Sequence, residues 1–444
     1  MDDKRSINVF YGASFLSAFL YIGIVYFINR HDSVTLLTAY GTLFLCYFFL
    51  LNKSANVNIK AAIGAGVVFR LVLFFSFPNL SDDIYRFVWD GKLINAGIHP
   101  FSYLPRQLVE AGDLPGSLTL ELFNQLNSPD YFTIYPPVAQ FVFWLSTVVS
   151  DTVLGSAIFI RSCIFTAELG TLWLLIKLCN IYQTKSHNAL IYALNPLVIL
   201  ELTGNLHFEA FMIFFILLSL YLYKKQKIAG VATGLALAIA AKLLPLMFLP
   251  SFFRRMSFKK LIFLYLLVAI GAVLLFLPLV DFSLFKGMGS SIALYFQKFE
   301  FNASIYYLVR EVGFWVKGYN IIGVAGKWLS VITFLLIIMI SLVPKPEKIR
   351  LPLVFLWILF IYLVMATTVH PWYITTLLAL SVLTNLRFPM IWSGLIFLTY
   401  IGYTETTYVE SMFVVLIEYF IVFIFIGYEL FYSFKGVKKP MVFH

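Results

Sequence analysis

Charged side chains are scarce in this chain: Asp, Glu, Lys and Arg make up 12% of its 444 residues, against 61% hydrophobic residues. That deficit, with a mean hydropathy of +0.89, excludes an ordinary soluble domain and places the chain among integral membrane proteins. Cysteine is nearly absent. Cys46, Cys163 and Cys179 sit in or at the edge of apolar runs without metal-ligand spacing, so they read as packing residues and leave the redox compartment undetermined. No repeat at solenoid period, low-complexity tract or soluble domain interrupts the pattern. The net charge of +10 does not point to nucleic acid. Its basic residues gather in short loops at Lys224, Lys225 and Lys227, at Arg254, Arg255, Lys259 and Lys260, and at Lys438 and Lys439, and clusters so placed mark cytoplasmic loops.

What is abundant is apolar sequence. Candidate spans cover 9–28, 34–51, 61–77, 153–178, 189–203, 208–223, 261–280, 321–343, 351–367, 373–383, 389–403 and 412–434. The first follows Lys4-Arg5 but is longer than a signal-peptide core and lacks a small-residue cleavage pattern behind it, so it reads as retained. The stretch 138–149 is short for a crossing, and 228–250 has basic clusters at both ends. Reading the first as an interfacial helix and the second as a hairpin or broken helix puts nearly every basic cluster on one face. The expected architecture is an all-α polytopic membrane protein, one membrane-embedded unit over 1–444, with about 12 crossings and both termini cytoplasmic. Full crossing by both ambiguous stretches gives about 14 and inverts the segment between them. External loops at 78–137 and 281–320, and turns at 203–209, 368–373 and 404–410, then collect the acidic and histidine-bearing sequences.

Ser81-Asp82-Asp83 opens the first of these loops. Beyond it Ile84, Phe87, Val88, Gly91 and Ile94 recur at helical spacing while Asp83, Arg86 and Asp90 fall on the opposite side, the pattern of a helix lying along the outer membrane surface. In that geometry Asp83 and Asp90 both reach Arg86, whereas Asp82 sits at the helix start without an evident partner, as an N-cap or as a reactive carboxylate. The turn after Gly204 carries Asn205, His207 and Glu209; His207 and Glu209 also suit the start of the next helix, where an acid favours the dipole. In His370-Pro371-Trp372-Tyr373, Pro punctuates the helix and the aromatics suit an interface, but nothing in that account requires the histidine. Lys242 lies inside an apolar run and needs an anion or a route to the surface; a lipid phosphate is one such anion. Arg70, Arg161, Glu168 and Glu201 are also intramembrane, and Arg161 and Glu168, seven residues apart on one face, are placed to satisfy each other.

These residues resemble the GT-C superfamily of polytopic glycosyltransferases, especially bacterial mannosyltransferases that use polyprenyl-phosphate sugars, and their relatives in glycolipid-anchor synthesis. The matching elements are Ser81-Asp82-Asp83 with Tyr85-Arg86 and Trp89-Asp90-Gly91, then Gly97-Ile98-His99-Pro100-Phe101, Tyr135-Pro136-Pro137, Asn195-Pro196 leading to Gly204-Asn205 and His207, Lys242 with Pro245, Glu300-Phe301-Asn302, and His370-Pro371-Trp372-Tyr373. Each is short; their order and sidedness carry the likeness, which covers most of the chain. The resemblance implies an outward-facing site in the cell membrane, with an aspartate of the first external loop as base, Asp82 foremost and Asp83 the open alternative. Substrate contacts are expected at Arg86, Tyr135, Asn205, His207, Glu209, Lys242, Arg310, His370, Trp372 and Tyr373. One departure stands out: where such bacterial enzymes often carry an Asn-Asp pair, this turn reads His207-Phe208-Glu209, which puts a sugar contact by Glu209 in doubt.

The implied chemistry is inverting transfer of a sugar, usually mannose in this group, from polyprenyl phosphate to a hydroxyl of a glycan or glycolipid. A carboxylate accepts the hydroxyl proton, and a basic residue such as Lys242 or Arg310 steadies the departing phosphate. No cofactor, metal or nucleic-acid partner is expected beyond lipids and substrates. A transporter or flippase of lipid-linked saccharides is the alternative that uses the intramembrane ions, but two related halves are not detectable. A scaffold without an active site would scatter Asp82, His207 and His370; an enzyme would bring them to one external cavity.

Overall fold

The computed structural model describes residues 2–112, 114–297, 299–342, 349–405 and 407–434. Lys438, Lys439 and the last residue of the expected span 321–343 lie outside the described residues. The architecture is helical; among the described residues, β-structure is confined to two isolated bridges, Phe301 with Thr368 and Tyr403 with Tyr408.

Six helices are long and apolar enough to cross a bilayer among the described residues: Lys4–Tyr26, Ser33–Asn56, Val153–Ile181, Phe258–Leu279, Ile322–Ser341 and Met412–Ser433. The pair Pro196–Gly204 and Glu209–Lys224, bent by 113°, makes a seventh if counted as one span. Shorter apolar helices are Pro137–Val149, Ile228–Ala241, Leu351–Met365 and Phe388–Gly402. Several stretches expected as single spans are therefore segmented, and local chemistry explains where they break. Asn195 caps Leu197 and Val198 through its side chain just before Pro196, which has no N–H to continue a preceding helix. A π-helical turn, Ile199–Gly204, follows. Helix Ile228–Ala241 stops at Lys242, which is extended, and resumes as the 3-10 helix Leu244–Phe252, a broken helix where 228–250 left that alternative open.

Breaks inside a membrane free backbone groups that must be satisfied within the protein. Arg161 meets this need at the bend: its guanidinium donates to the carbonyls of Thr203 at 2.8 Å, Gly204 at 3.0 Å and Phe74 at 2.8 Å. The expected Arg161–Glu168 pair is thus not formed. Glu168 instead accepts two hydrogen bonds from Arg70, at 3.0 and 2.8 Å, and one from the Tyr192 hydroxyl at 2.5 Å. Helical periodicity places Arg161 and Glu168 on one face, but seven residues span two turns, and neighbouring helices present closer partners to each.

Helix Asp83–Asn95 also departs from expectation. It does not lie on a surface, because both its apolar stripe and Arg86 and Asp90 are buried. Gly91 permits the burial: a Cβ there would meet the Phe143 carbonyl oxygen at 2.4 Å, so only hydrogen lets the helix press against Pro137–Val149. Its polar side is tolerated inside because Asp90 accepts from Arg86 at 2.8 Å and from Gln140 at 3.0 Å.

Removing one partner of a fully buried ion pair strands the other charge. Glu168→Ala is therefore expected to lower stability by about 3–5 kcal/mol, read as loss of unfolding midpoint in detergent, with Glu168→Gln less damaging because it keeps an acceptor for Arg70 and Tyr192.

Candidate functional site

Asp82 occupies the N-cap position of helix Asp83–Asn95, but its side chain makes no capping hydrogen bond. Nor is it without a partner, as the sequence suggested: Arg30, in the turn between the first two helices, donates to Asp82 Oδ2 at 2.8 Å. The guanidinium also reaches the Leu80 carbonyl at 3.4 Å and lies 4.5 Å above the Tyr403 ring. Burial works against the charge of Arg30, yet the adjacent Asp82 carboxylate outweighs it and raises the arginine pKa. Asp83 does not pair with Arg86 either. It accepts from Asn127 at 3.0 Å through one oxygen and from the Tyr135 hydroxyl at 3.1 Å through the other. The two aspartates thus differ: Asp83 has both oxygens engaged and a side chain 20% exposed, whereas Asp82 is bound through Oδ2 alone and is 41% exposed.

Both carboxylates line a cavity of about 280 Å³ with Arg30, Arg86, Asn127, Tyr135, His370, Trp372 and Tyr403. Arg86 is held by Asp90 and by the carbonyls of Ser128 and Tyr131, while its buried Nη2 has no hydrogen-bond partner among the described residues. A second cavity of about 390 Å³ is predominantly apolar, walled by Met212, Leu243, Leu244, Met247, Tyr362 and Tyr373, with Lys242 and Glu209 as its charged groups. Ile134 and Tyr135 line both cavities, so the two adjoin across that wall.

Lys242 pairs with Glu209 and lies 5.0 Å over the Tyr373 ring. The anion that its apolar setting calls for is thus the protein's own, supplied by the residue that departs from the family pattern. His207, Trp372 and His370 form a three-ring stack, with centroid separations of 3.7 Å for His207 on Trp372 and 4.4 Å for Trp372 on His370. His207 lies between two carboxylates: Nε2 is 3.3 Å from Glu201 and Nδ1 4.0 Å from Asp83, neither aligned as a hydrogen bond. Asn205 is buried behind this layer and donates to Glu201 at 3.0 Å, while Tyr400 donates to the other Glu201 oxygen at 2.9 Å. Arg310 is not brought to either cavity. It binds Glu300 at 2.7 Å and Glu311 at 3.2 Å, in a separate cluster with Tyr306 and Tyr307. Burial opposes the Glu300 charge there, but hydrogen bonds from Tyr306, Asn320 and Arg310 hold its pKa below the usual range.

Asp82 and His370 thus line one cavity, and His207 sits behind its wall, stacked on Trp372, so the three lie close together and not scattered. Arg70, Arg161, Glu168 and Glu201 are each engaged in buried hydrogen bonds rather than lining these cavities. Sequence reasoning missed Arg30, Asn127 and Tyr403. Arg30 carried a signal nonetheless: it is a basic residue in a loop that the positive-inside pattern assigns to the face where basic residues are few. Among the described residues no group of three or more His, Cys, Asp and Glu is arranged to hold a metal ion.

Burial, reinforced by the like charges of His207 and Lys242, lowers the pKa of His370 from 6.5 to about 3. The folded state keeps this imidazole neutral while the unfolded chain protonates it. Stability linked to His370 is thus fully present above pH 6.5 and falls as pH drops from there toward 3. Comparing unfolding midpoints of the wild type and His370→Asn from pH 7 to pH 4 should show a smaller acid-induced loss in the variant.

Residues 14–256 match a family whose description is alpha-(1->6)-mannopyranosyltransferase, N-terminal domain. The chain is 29% identical over 178 residues to alpha-(1->6)-mannopyranosyltransferase A of Corynebacterium glutamicum, covering 38% of this chain and 34% of that protein. It is 25% identical over 190 residues to alpha-(1->6)-mannopyranosyltransferase A of Mycobacterium tuberculosis, covering 41% and 34%. The chain thus spans about a third of the length of these curated relatives. No solved structure matches.

Proposed function

Because the chain belongs to the alpha-(1->6)-mannopyranosyltransferase family, we propose that it moves a mannosyl group from polyprenyl phosphate to a hydroxyl of a glycan or glycolipid acceptor, with inversion. The observation that carries this reading is the wall at Ile134 and Tyr135, with a charge-poor cavity holding Lys242 on one side and a polar cavity holding paired carboxylates on the other. A lipid-linked sugar has the same division, an apolar chain and a phosphate followed by a hydroxyl-rich ring. The isoprenoid phosphate lies toward Lys242 and the sugar passes Tyr135 to meet the acceptor at Asp82.

Asp82 is the base in this scheme because a base needs an open lone pair, and its Oδ1 accepts no hydrogen bond among the described residues. Oδ1 takes the acceptor's proton as the hydroxyl oxygen forms its bond to the anomeric carbon. The bond from that carbon to the phosphate oxygen breaks at the same time, and the phosphate leaves as an anion without needing an acid. Lys242 stabilises it, having three N–H donors of which Glu209 takes one. Arg30 and Asp83 are positioning residues: Arg30 orients the base, and Asp83 fixes Tyr135 at the junction. Arg86 Nη2 reaches for substrate oxygens. The His207–Trp372–His370 stack forms the floor, and Tyr373 supports Lys242. Asn205, through Glu201, holds the turn beneath. Arg310 belongs to the external loop cluster and has no part in phosphate release. The reaction uses no cofactor or metal and takes place on the external face of a bacterial cell membrane, in a chain that crosses about 12 times with both termini inside.

With a labelled polyprenyl-phosphate mannose donor and membrane acceptor, Asp82→Asn is expected to lower turnover by about 100-fold or more. Wild-type turnover in that variant would remove Asp82 as base. Lys242→Gln should raise the donor KM and slow release, while excess chelator should leave the wild-type rate unchanged. Loss of activity to chelator that a divalent ion restores would replace this scheme with a metal-assisted one.

A further inference from the structure

A third cavity, of about 370 Å³, lies far from the carboxylates, where the loop 183–191 meets the starts of helices Leu351–Met365 and Phe388–Leu395. Its lining includes Ser54, Thr184, Lys185, His187, Arg350 and Arg387, and no carboxylate among the described residues. Helix Ser33–Lys53 shows how far it is from the site. The helix begins three residues after Arg30, the partner of Asp82, and ends beside this cavity after 21 residues. At about 1.5 Å per residue the separation is about 30 Å, the thickness of a bilayer core. The cavity therefore opens on the opposite face, the one that collects the basic loops.

We propose that this cavity binds a phosphate-bearing anion. Three permanent cations and a histidine on one concave surface repel one another, and a bound anion relieves that repulsion. The cavity is also organised. Arg387 Nη1 is fixed by the carbonyls of Ser381, Thr384 and Leu386 at 3.2, 3.0 and 3.0 Å. Glu429 accepts from the backbone N–H groups of Arg387 and Phe388 at 2.9 to 3.0 Å and offsets part of the Arg387 charge, which leaves Lys185 and Arg350 as the exposed cations of the cavity. His187 Nε2 is buried and has no hydrogen-bond partner among the described residues. Asn188 adds a neutral amide donor suited to a phosphate oxygen, while the Ser54 and Thr184 hydroxyls donate to the carbonyls of Leu51 and Cys179. The volume is in the range of small-ligand sites. An anionic lipid headgroup and a free cytosolic phosphate share this chemistry, and the position at the membrane face admits either.

The test uses the full-length protein in phosphatidylcholine nanodiscs. One arm titrates inorganic pyrophosphate by calorimetry, and the other measures retention of added phosphatidylglycerol by native mass spectrometry. Saturable binding of pyrophosphate identifies a free phosphate site, and selective retention of phosphatidylglycerol alone identifies a headgroup site. Lys185 and Arg350 are exposed, so Lys185→Gln/Arg350→Gln should fold and should weaken whichever binding occurs by about tenfold or more. Lys60→Gln/Lys259→Gln removes the same charge from the same face outside the cavity, and should leave binding within about twofold. Saturable binding of neither probe, or an equal loss in the two double variants, would overturn the proposal.

Discussion

Arg161 donates to three main-chain carbonyls at the point where the chain turns through 113° between Pro196–Gly204 and Glu209–Lys224. In a hydrocarbon setting an open carbonyl has no water to turn to, so a helix can break only where the protein supplies donors. The candidate site depends on that condition. The break sets Asn205, His207 and Glu209 on a short turn instead of winding them around a continuous helix. It aims Glu209 at Lys242 and slides the His207 ring onto Trp372. The Arg70–Glu168–Tyr192 cluster performs a related task one layer deeper, joining helix Ile59–Val72 to the segment before Asn195.

Around this frame the chain sets an apolar and a polar environment side by side. The apolar cavity tolerates Lys242 because Glu209 and the Tyr373 ring compensate its charge. The polar cavity keeps Asp82 accessible while Arg30 restrains it. Tyr135 belongs to both, held by Asp83.

Much of the site was legible from residue type and sidedness. Carboxylates and histidines in a chain so poor in charge draw attention wherever they occur, and the basic loops assign them to one face. Ser81-Asp82-Asp83, the Gly204 turn, Lys242 and the His370 turn could be singled out on that ground, and they meet. The pairings were less legible. Periodicity on one helix put Arg161 with Glu168 and Asp83 with Arg86, but the partners come from elsewhere in the chain: Arg70 of another helix for Glu168, Tyr135 and Asn127 of the following loop for Asp83, and Arg30 of a turn for Asp82. Periodicity reports which residues share a face, not what that face is packed against. Arg310, a plausible phosphate clamp by charge, is drawn to Glu300 instead.

Composition alone settled that this chain lives in a membrane, since 61% hydrophobic and 12% charged residues leave no soluble alternative. The basic clusters flanking 228–250 already left a broken helix open there, whereas the break at Asn195-Pro196 falls inside the expected span 189–203 and came from the structure. Tertiary structure decided that helix Asp83–Asn95 is buried rather than laid on the surface, because that turns on the approach of Gly91 to the Phe143 carbonyl from a segment about fifty residues away. It also decided which aspartate keeps an open oxygen and where the two cavities adjoin. Charges in a low-dielectric interior take the best donor or acceptor in space, and sequence separation has no bearing on that choice.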